Sequence, residues 1–239
     1  EIEKVYKTIS SLSPRAQEAI VIPDVEQFLA DLHKVLSTQI DDQFRLVDKN
    51  NYLPEGYVPK ELVSLKTNDH YKVSRNDLSL IPYVEAALCE MGDAALQDNI
   101  KLLVSSTYRS YEYQTKLFNR YVAQDGYDLA VRYSAPPGTS QHQMGVAIDF
   151  GSIDDSFADT AMGIWLNKNA WKYGWSLSFP QGYEDITGYM WECWHFRYIG
   201  KDACNFQRNY FSDIQQFCIE FIAKWEEINN DYTNGDYRN

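Results

Sequence analysis

His142 and His195 are two of the four histidines in this chain, and each stands at a short interval from a carboxylate. Asp149 follows His142 by seven residues, and Glu192 precedes His195 by three. In an extended stretch, side chains alternate between faces, so Gly145 and Ala147 share the face of Asp149 and leave room above it for a ligand or a metal ion. Two imidazoles, one liganding carboxylate and one spare carboxylate make up the inventory of hydrolytic zinc chemistry. Three protein ligands hold the ion, the fourth position takes water, and a glutamate outside the ligand set removes the water's proton. The metal brings the pKa of that water to about 7. Glu192 is the candidate general base, and then the acid toward a leaving amine. Residues three apart on a regular strand point to opposite faces. The chain must therefore bend between Glu192 and His195, or begin its strand at about Trp194.

Such a site also needs a cation for developing oxyanion charge and for a substrate carboxylate. Arg109 lies in Ser106-Thr107-Tyr108-Arg109-Ser110, between an apolar strand and a helix start, a junction where ligand-binding loops concentrate. Gln114 follows one turn into that helix and can add an amide contact. His33, on a helix, and His70, in a polar loop, read as ordinary surface residues. Cys193 beside Glu192 raises the thought of a thiol nucleophile, but metal accounts better for the two histidines.

The elements that must position these groups follow from periodicity. Val25, Phe28, Leu29, Leu32, Val35 and Leu36 recur at three and four residues behind Asp24, which predicts a helix capped by that aspartate. Residues 46–73 carry Asn50, Asn51, Pro54, Gly56 and Pro59 and read as an extended surface segment without a helix. A helix is predicted from about Asp77 to Leu96, a buried strand over Ile100–Ser105, and a helix capped by Ser110 through about Ala123. After the forced turn Pro136-Pro137-Gly138, Val146, Ile148 and Phe150 alternate with Gly145, Ala147 and Asp149 as a strand. A helix over about Asp159–Tyr173, a strand around Trp175–Phe179 and a strand ending near Tyr198 complete the pattern. A last helix spans about Phe211–Ile228, with polar fraying after Asn229. The fold class is α+β: a small antiparallel sheet carrying the site, flanked by helices, with helical additions at both ends. Residues 1–45 form an N-terminal helical segment, 46–205 the catalytic domain, and 206–239 a C-terminal helix packed on the same domain.

Composition narrows the function. The 239 residues are 44% apolar and 15% aromatic, enough for a substantial core. Twenty-two Lys and Arg against 34 Asp and Glu give a formal charge of -12, a field that repels polyphosphates, so nucleic acid is excluded as a partner. The longest apolar run is about four residues, as in Ala19–Ile22, against roughly 20 for a membrane span. The chain opens at Glu1 without a basic region followed by an apolar one, so any export signal is expected to have been removed. Cys89, Cys193, Cys204 and Cys218 form no C-x-x-C pair, which favours isolated buried thiols over a zinc knuckle.

Three ordered blocks carry a family resemblance: Tyr108-Arg109-Ser110-Tyr111 with Gln114, Ser140-x-His142-x-x-Gly145-x-Ala147-x-Asp149, and Glu192-x-Trp194-His195-x-Arg197-Tyr198. From about Leu46 to Lys201 the chain resembles the VanY-type D-alanyl-D-alanine carboxypeptidases and their L,D-carboxypeptidase relatives. These zinc peptidases of bacterial peptidoglycan share a fold with lysostaphin-type enzymes and the Hedgehog signalling domain. The resemblance implies one Zn2+ held by His142, Asp149 and His195, with Glu192 as base and Arg109 steadying the tetrahedral intermediate. It implies substrate contacts at Gln114 and Ser140, and peptidoglycan stem peptides as substrate. Because that substrate lies outside the cytoplasmic membrane, an exported protein of the bacterial envelope or periplasm is expected, and a monomer is expected as well. Two positions depart from the family pattern. Pro136 stands where an arginine that helps bind the substrate carboxylate is usual, and Cys193 where proline is usual. The competing expectations are a non-catalytic zinc module that binds a peptide or protein, and an endopeptidase cutting inside the stem or crossbridge.

Overall fold

The computed structural model describes the backbone of residues 1–235 and the side chains through residue 230. It divides into two compact units, Val47–Ile199 and a second built from Glu1–Leu46 with the chain from Gly200 onward.

The second unit opens with α1 (Ile2–Ser10), α2 (Pro14–Ala19) and α3 (Val25–Ser37). Asp24 caps α3 as its sequence predicts, accepting from the amides of Glu26 and Gln27. The unit later closes with two further helices, whose Phe206, Phe221 and Trp225 are buried together with Phe211 of the connection between them and Phe28 of α3. Ring centroids 5.0 Å apart for Phe28–Phe206 and 5.4 Å for Phe28–Phe221 mark a close aromatic core.

Within Val47–Ile199, the stretch expected to be extended contains only the short strands β1 (Val63–Ser64) and β2 (Tyr71–Val73). β3 (Ser79–Leu80) pairs antiparallel with β1, and α4 then runs over Pro82–Gln97. The helix expected from Asp77 therefore begins five residues later. Residues 79–80 go to strand pairing, and Pro82, with no amide hydrogen to lose, opens the helix at its first turn. β4 (Leu102–Ser106) leads through the 107–110 loop to α5 (Tyr111–Asp125), whose cap Ser110 accepts from Tyr113 N. α6 (Tyr127–Tyr133), which periodicity did not reveal, follows a single glycine, Gly126 at φ +80°. β5 (Ala147–Phe150), α7 (Ala161–Asn169), β6 (Trp175–Leu177), the one-turn α8 (Glu184–Thr187) and β7 (His195–Tyr198) complete the unit. Beyond it lie α9 (Lys201–Tyr210) and α10 (Gln215–Gly235). The helical path thus continues past the fraying expected after Asn229, while residues 236–239 of that segment lie outside the described residues.

Five strands form one sheet in the order β2-β4-β5-β7-β6. The pairs β4/β5, β5/β7 and β7/β6 are antiparallel, as anticipated, whereas the edge pair β2/β4 is parallel. One face packs Ile148, Phe150, Phe196 and Val104 against Leu88 and Met91 of α4 in a continuous apolar cluster. That burial fixes the register, because a slip of one residue would turn Asp149 into the core. The opposite face of the central strands is left for chemistry. All four cysteines are free thiols.

Candidate metal centre

β5 supplies the floor of the site. Its register sets Asp149 directly opposite His195 of β7, so their side chains rise from one face of the sheet. On the other flank Asp149 pairs with Ser106 of β4 across an irregularity in that ladder. His142 arrives from a one-turn 3-10 helix, Gln141–Met144, capped by Ser140, whose Oγ accepts from His142 N at 3.3 Å. Gly145 ends that turn at φ +71°, a backbone conformation that favours glycine, and a Cβ there would stand 3.2 Å from both Ile81 and Leu62 and press on their methyl groups.

These elements bring the three ligand candidates together, all nearly buried. His195 Nδ1 lies 3.0 Å from Asp149 Oδ1, and His142 Nε2 lies 3.3 Å from Asp149 Oδ2. Two imidazole nitrogens and a carboxylate oxygen, all within 4.8 Å of one another, form a donor set suited to Zn2+. Each ring also has its far nitrogen engaged. His142 Nδ1 is 2.8 Å from Thr107 O, and His195 Nε2 is 3.0 Å from Gln141 Oε1. With its hydrogen on that far nitrogen, each ring turns a lone pair inward, the form that metal-ligating histidines take.

Electrostatics matches the ligand role. Burial, assisted by the Arg109 charge, lowers the pKa of His142 to about 4, which keeps the ring neutral and able to donate a lone pair. Burial works to raise the Asp149 carboxyl, but its close polar contacts with His142 and His195 prevail and hold it well below the ordinary carboxylate range. Glu192 behaves in the opposite way: burial and the nearby Asp149 charge push it well above its ordinary range, with Arg109 pulling back. Its Oε2 lies 3.6 Å from His195 Nδ1, beside the metal-facing atoms. The bend that separates the two residues is present. His195 N donates to Glu192 O at 3.2 Å across the turn, and β7 begins only at His195. Cys193 accommodates this turn without proline, its thiol directed at the carbonyls of Asp154 and Asp155.

Arg109 meets four side chains: Nε donates to Ser106 Oγ at 3.1 Å, Nη1 to Gln114 Oε1 at 3.2 Å, and Nη2 to Asp149 Oδ2 at 2.8 Å, with Nη2 also 3.0 Å from His142 Nε2. Gln114 is fully buried and spends its other end on Ala135 O at 2.8 Å, so it stands behind Arg109 rather than on the open wall. Ser140, also buried, lines the cavity. A cavity of about 790 Å3 contains His142, Asp149, His195, Glu192, Arg109 and Ser140, with Tyr121, Tyr133, Tyr189, Trp191 and Trp194 among its walls. This size suits the end of a peptide. His33 and His70 lie elsewhere, in exposed pairs with Glu1 and Asp93. Gln141, Ser178 and Ser106 also belong to the site and were not foreseen. Gln141 had the signal of adjacency to His142, but Ser178 and Ser106 are brought in by strand placement alone.

An aspartate and a histidine from a mixed sheet and a second histidine from the adjoining 3-10 turn meet at a cavity with a half-buried glutamate beside them, the arrangement of a zinc metallopeptidase site. A family model described as VanY, D-alanyl-D-alanine carboxypeptidase, matches residues 77–201. The chain belongs to that family. A Bacillus subtilis protein named as a carboxypeptidase, YodJ, is 34% identical over 187 residues, covering 74% of this chain and 68% of that protein. A D-alanyl-D-alanine carboxypeptidase of Enterococcus faecalis is 31% identical, over 66% of this chain and 59% of its own length, so the chain spans under two thirds of that relative. Among solved structures, the LdcB LD-carboxypeptidase superposes with a TM-score of 0.64 at 32% identity, covering 77% of this chain and 89% of that one. The D,D-pentapeptidase VanY of a VanB-type vancomycin-resistance cassette, in complex with Zn(II), gives 0.60 at 29%, covering 71% and 94%.

Proposed function

We propose that this protein is a zinc carboxypeptidase that removes the terminal D-alanine from peptidoglycan stem peptides. The observation that carries the reading is the position of Glu192, with only 12% of its side chain exposed and its Oε2 3.6 Å from His195 Nδ1. His142 Nε2, Asp149 and His195 Nδ1 hold the ion in this reading. When bound, Zn2+ acts as a Lewis acid that brings the pKa of water to about 7 and polarises the scissile carbonyl. Glu192 takes the proton from the attacking water on Oε2 and delivers it to the nitrogen of the departing D-alanine. Its raised affinity for a proton suits that relay. Arg109, fixed by Ser106 and Gln114, opposes the negative charge that develops on the carbonyl oxygen. Ser140, which lines the same cavity, is a substrate contact in this reading.

Cross-linked peptidoglycan lies outside the cytoplasmic membrane, which supports action in the bacterial envelope. Among the described residues no helix is long and apolar enough to cross a membrane. The similar structures include both an LD-carboxypeptidase and a D,D-pentapeptidase, so the test offers tetrapeptide and pentapeptide stems side by side to the zinc-loaded protein. Free D-alanine is expected from at least one. Equal release by wild type and Glu192→Ala, or tight peptide binding without turnover at any pH, would overturn the reading.

A further inference from the structure

A histidine that ligates through one nitrogen must carry its hydrogen on the other. For His142 the main chain provides the acceptor, since Nδ1 meets Thr107 O at 2.8 Å. For His195 the acceptor is a side chain. Its Nε2 lies 3.0 Å from Gln141 Oε1, and the same oxygen accepts from Ser178 Oγ at 2.7 Å. All three residues are buried. With Oε1 facing the ring, His195 donates from Nε2 and its Nδ1 lone pair points at the metal side. With the amide turned over, an N–H would donate to Nε2 and force the ring hydrogen onto Nδ1, the atom 3.0 Å from Asp149 Oδ1, where it blocks ligation. The Ser178 hydroxyl selects the first arrangement by donating to Oε1.

We propose that Gln141 is a positioning residue that holds His195 in its Nε2–H form, and that Ser178 sets the sense of the Gln141 amide. The inference rests on His195 being a metal ligand. It adds that one short turn, Gln141–Met144, delivers one ligand from His142 and the outer partner of another ligand from its neighbour. Partners of this kind typically change metal affinity by about 10- to 100-fold.

The test uses Gln141→Leu, Gln141→Glu and Ser178→Ala in the full chain. Imidazole 15N NMR on the zinc-loaded protein reads which nitrogen of His195 carries the hydrogen, because without metal the Asp149 carboxylate beside Nδ1 would itself hold a hydrogen there, and competition against a zinc chelator reads affinity. Wild type is expected to show the Nε2–H form. Gln141→Leu is expected to show a tautomer mixture and to weaken zinc binding by about 10- to 100-fold, whereas Gln141→Glu, which keeps an acceptor, is expected to stay within about threefold of wild type. Ser178→Ala removes only a hydroxyl and is expected to raise the Nδ1–H fraction, so it decides the question should the leucine variant not fold. A wild-type Nδ1–H form, or variants that keep both the wild-type tautomer and wild-type affinity, would overturn the proposal. Failure of wild type to bind zinc would sink the metal reading instead, whereas zinc binding with the hydrogen on Nδ1 would sink only the role of Gln141.

Discussion

Ser106 stands opposite Asp149 across β4 and β5, although two residues earlier Val104 stands opposite Phe150. The ladder advances two residues on β4 for one on β5, which is a bulge, and its effect is to turn Ser106 from the core face to the face of the metal ligands. There Ser106 Oγ accepts from Arg109 Nε. A backbone irregularity thus decides where the one arginine at the centre of the site points.

Replacement of Arg109 by lysine keeps the charge but loses the fork that reaches Ser106, Gln114 and Asp149 together. D-alanine release is expected to fall by about 10²- to 10³-fold in kcat/KM, the scale of a lost oxyanion stabiliser, with the protein still folded. Steady-state kinetics with a zinc-saturated variant would check this, and a loss of less than about threefold would remove Arg109 from the chemistry.

Glu192→Gln preserves shape and burial while removing the base. The expected loss in kcat is about 10²- to 10⁴-fold with little change in KM, and zinc content is expected to stay at the wild-type level because Glu192 lies outside the ligand set. Elemental analysis beside kinetics separates the two roles. A variant without zinc would make Glu192 a ligand.

Removal of the metal by a chelator is expected to abolish D-alanine release, and added Zn2+ to restore it. Asp149→Asn is expected to lose binding as well, because an amide supplies no charge to the ion. Zinc affinity of the asparagine variant, measured by competition, checks the assignment.

Gly145→Ala forces a left-handed conformation on a residue with a Cβ and presses that atom on Ile81 and Leu62. The expected cost is about 1–2 kcal/mol from the backbone alone, read as a lower urea midpoint. Activity is expected to fall further than stability explains, because Gly145 joins the His142 turn to the Asp149 strand.

The thiols are expected to be inert. Burial and a hydrogen bond to Glu85 push Cys89 up to about 12, and burial raises Cys193, Cys204 and Cys218 as well. Thiolate is scarce in the native protein at pH 8, so iodoacetamide should label it far more slowly than the unfolded chain and leave peptidase activity intact. Rapid inactivation would revive the cysteine nucleophile.

The helix behind Asp24, the strand through Asp149 and the helix capped by Ser110 were legible in the sequence because each is set by local chemistry: a capping side chain, an apolar period, an alternation of faces. So was the set of groups fit to bind an ion, since residue types in short-range spacing are local as well. The start of α4 at Pro82 was not legible, because Ser79 and Leu80 answer to strand β1, some fifteen residues upstream. Nor was the parallel pairing of β2 with β4, or the place of Gln114 behind Arg109. What the chain determined by itself is which atoms are available to hold zinc and relay a proton. Only the tertiary structure decided which nitrogen of each imidazole faces inward, because that choice depends on Thr107, Gln141 and Ser178, partners that lie on separate segments until strand register and burial bring them into hydrogen-bond range.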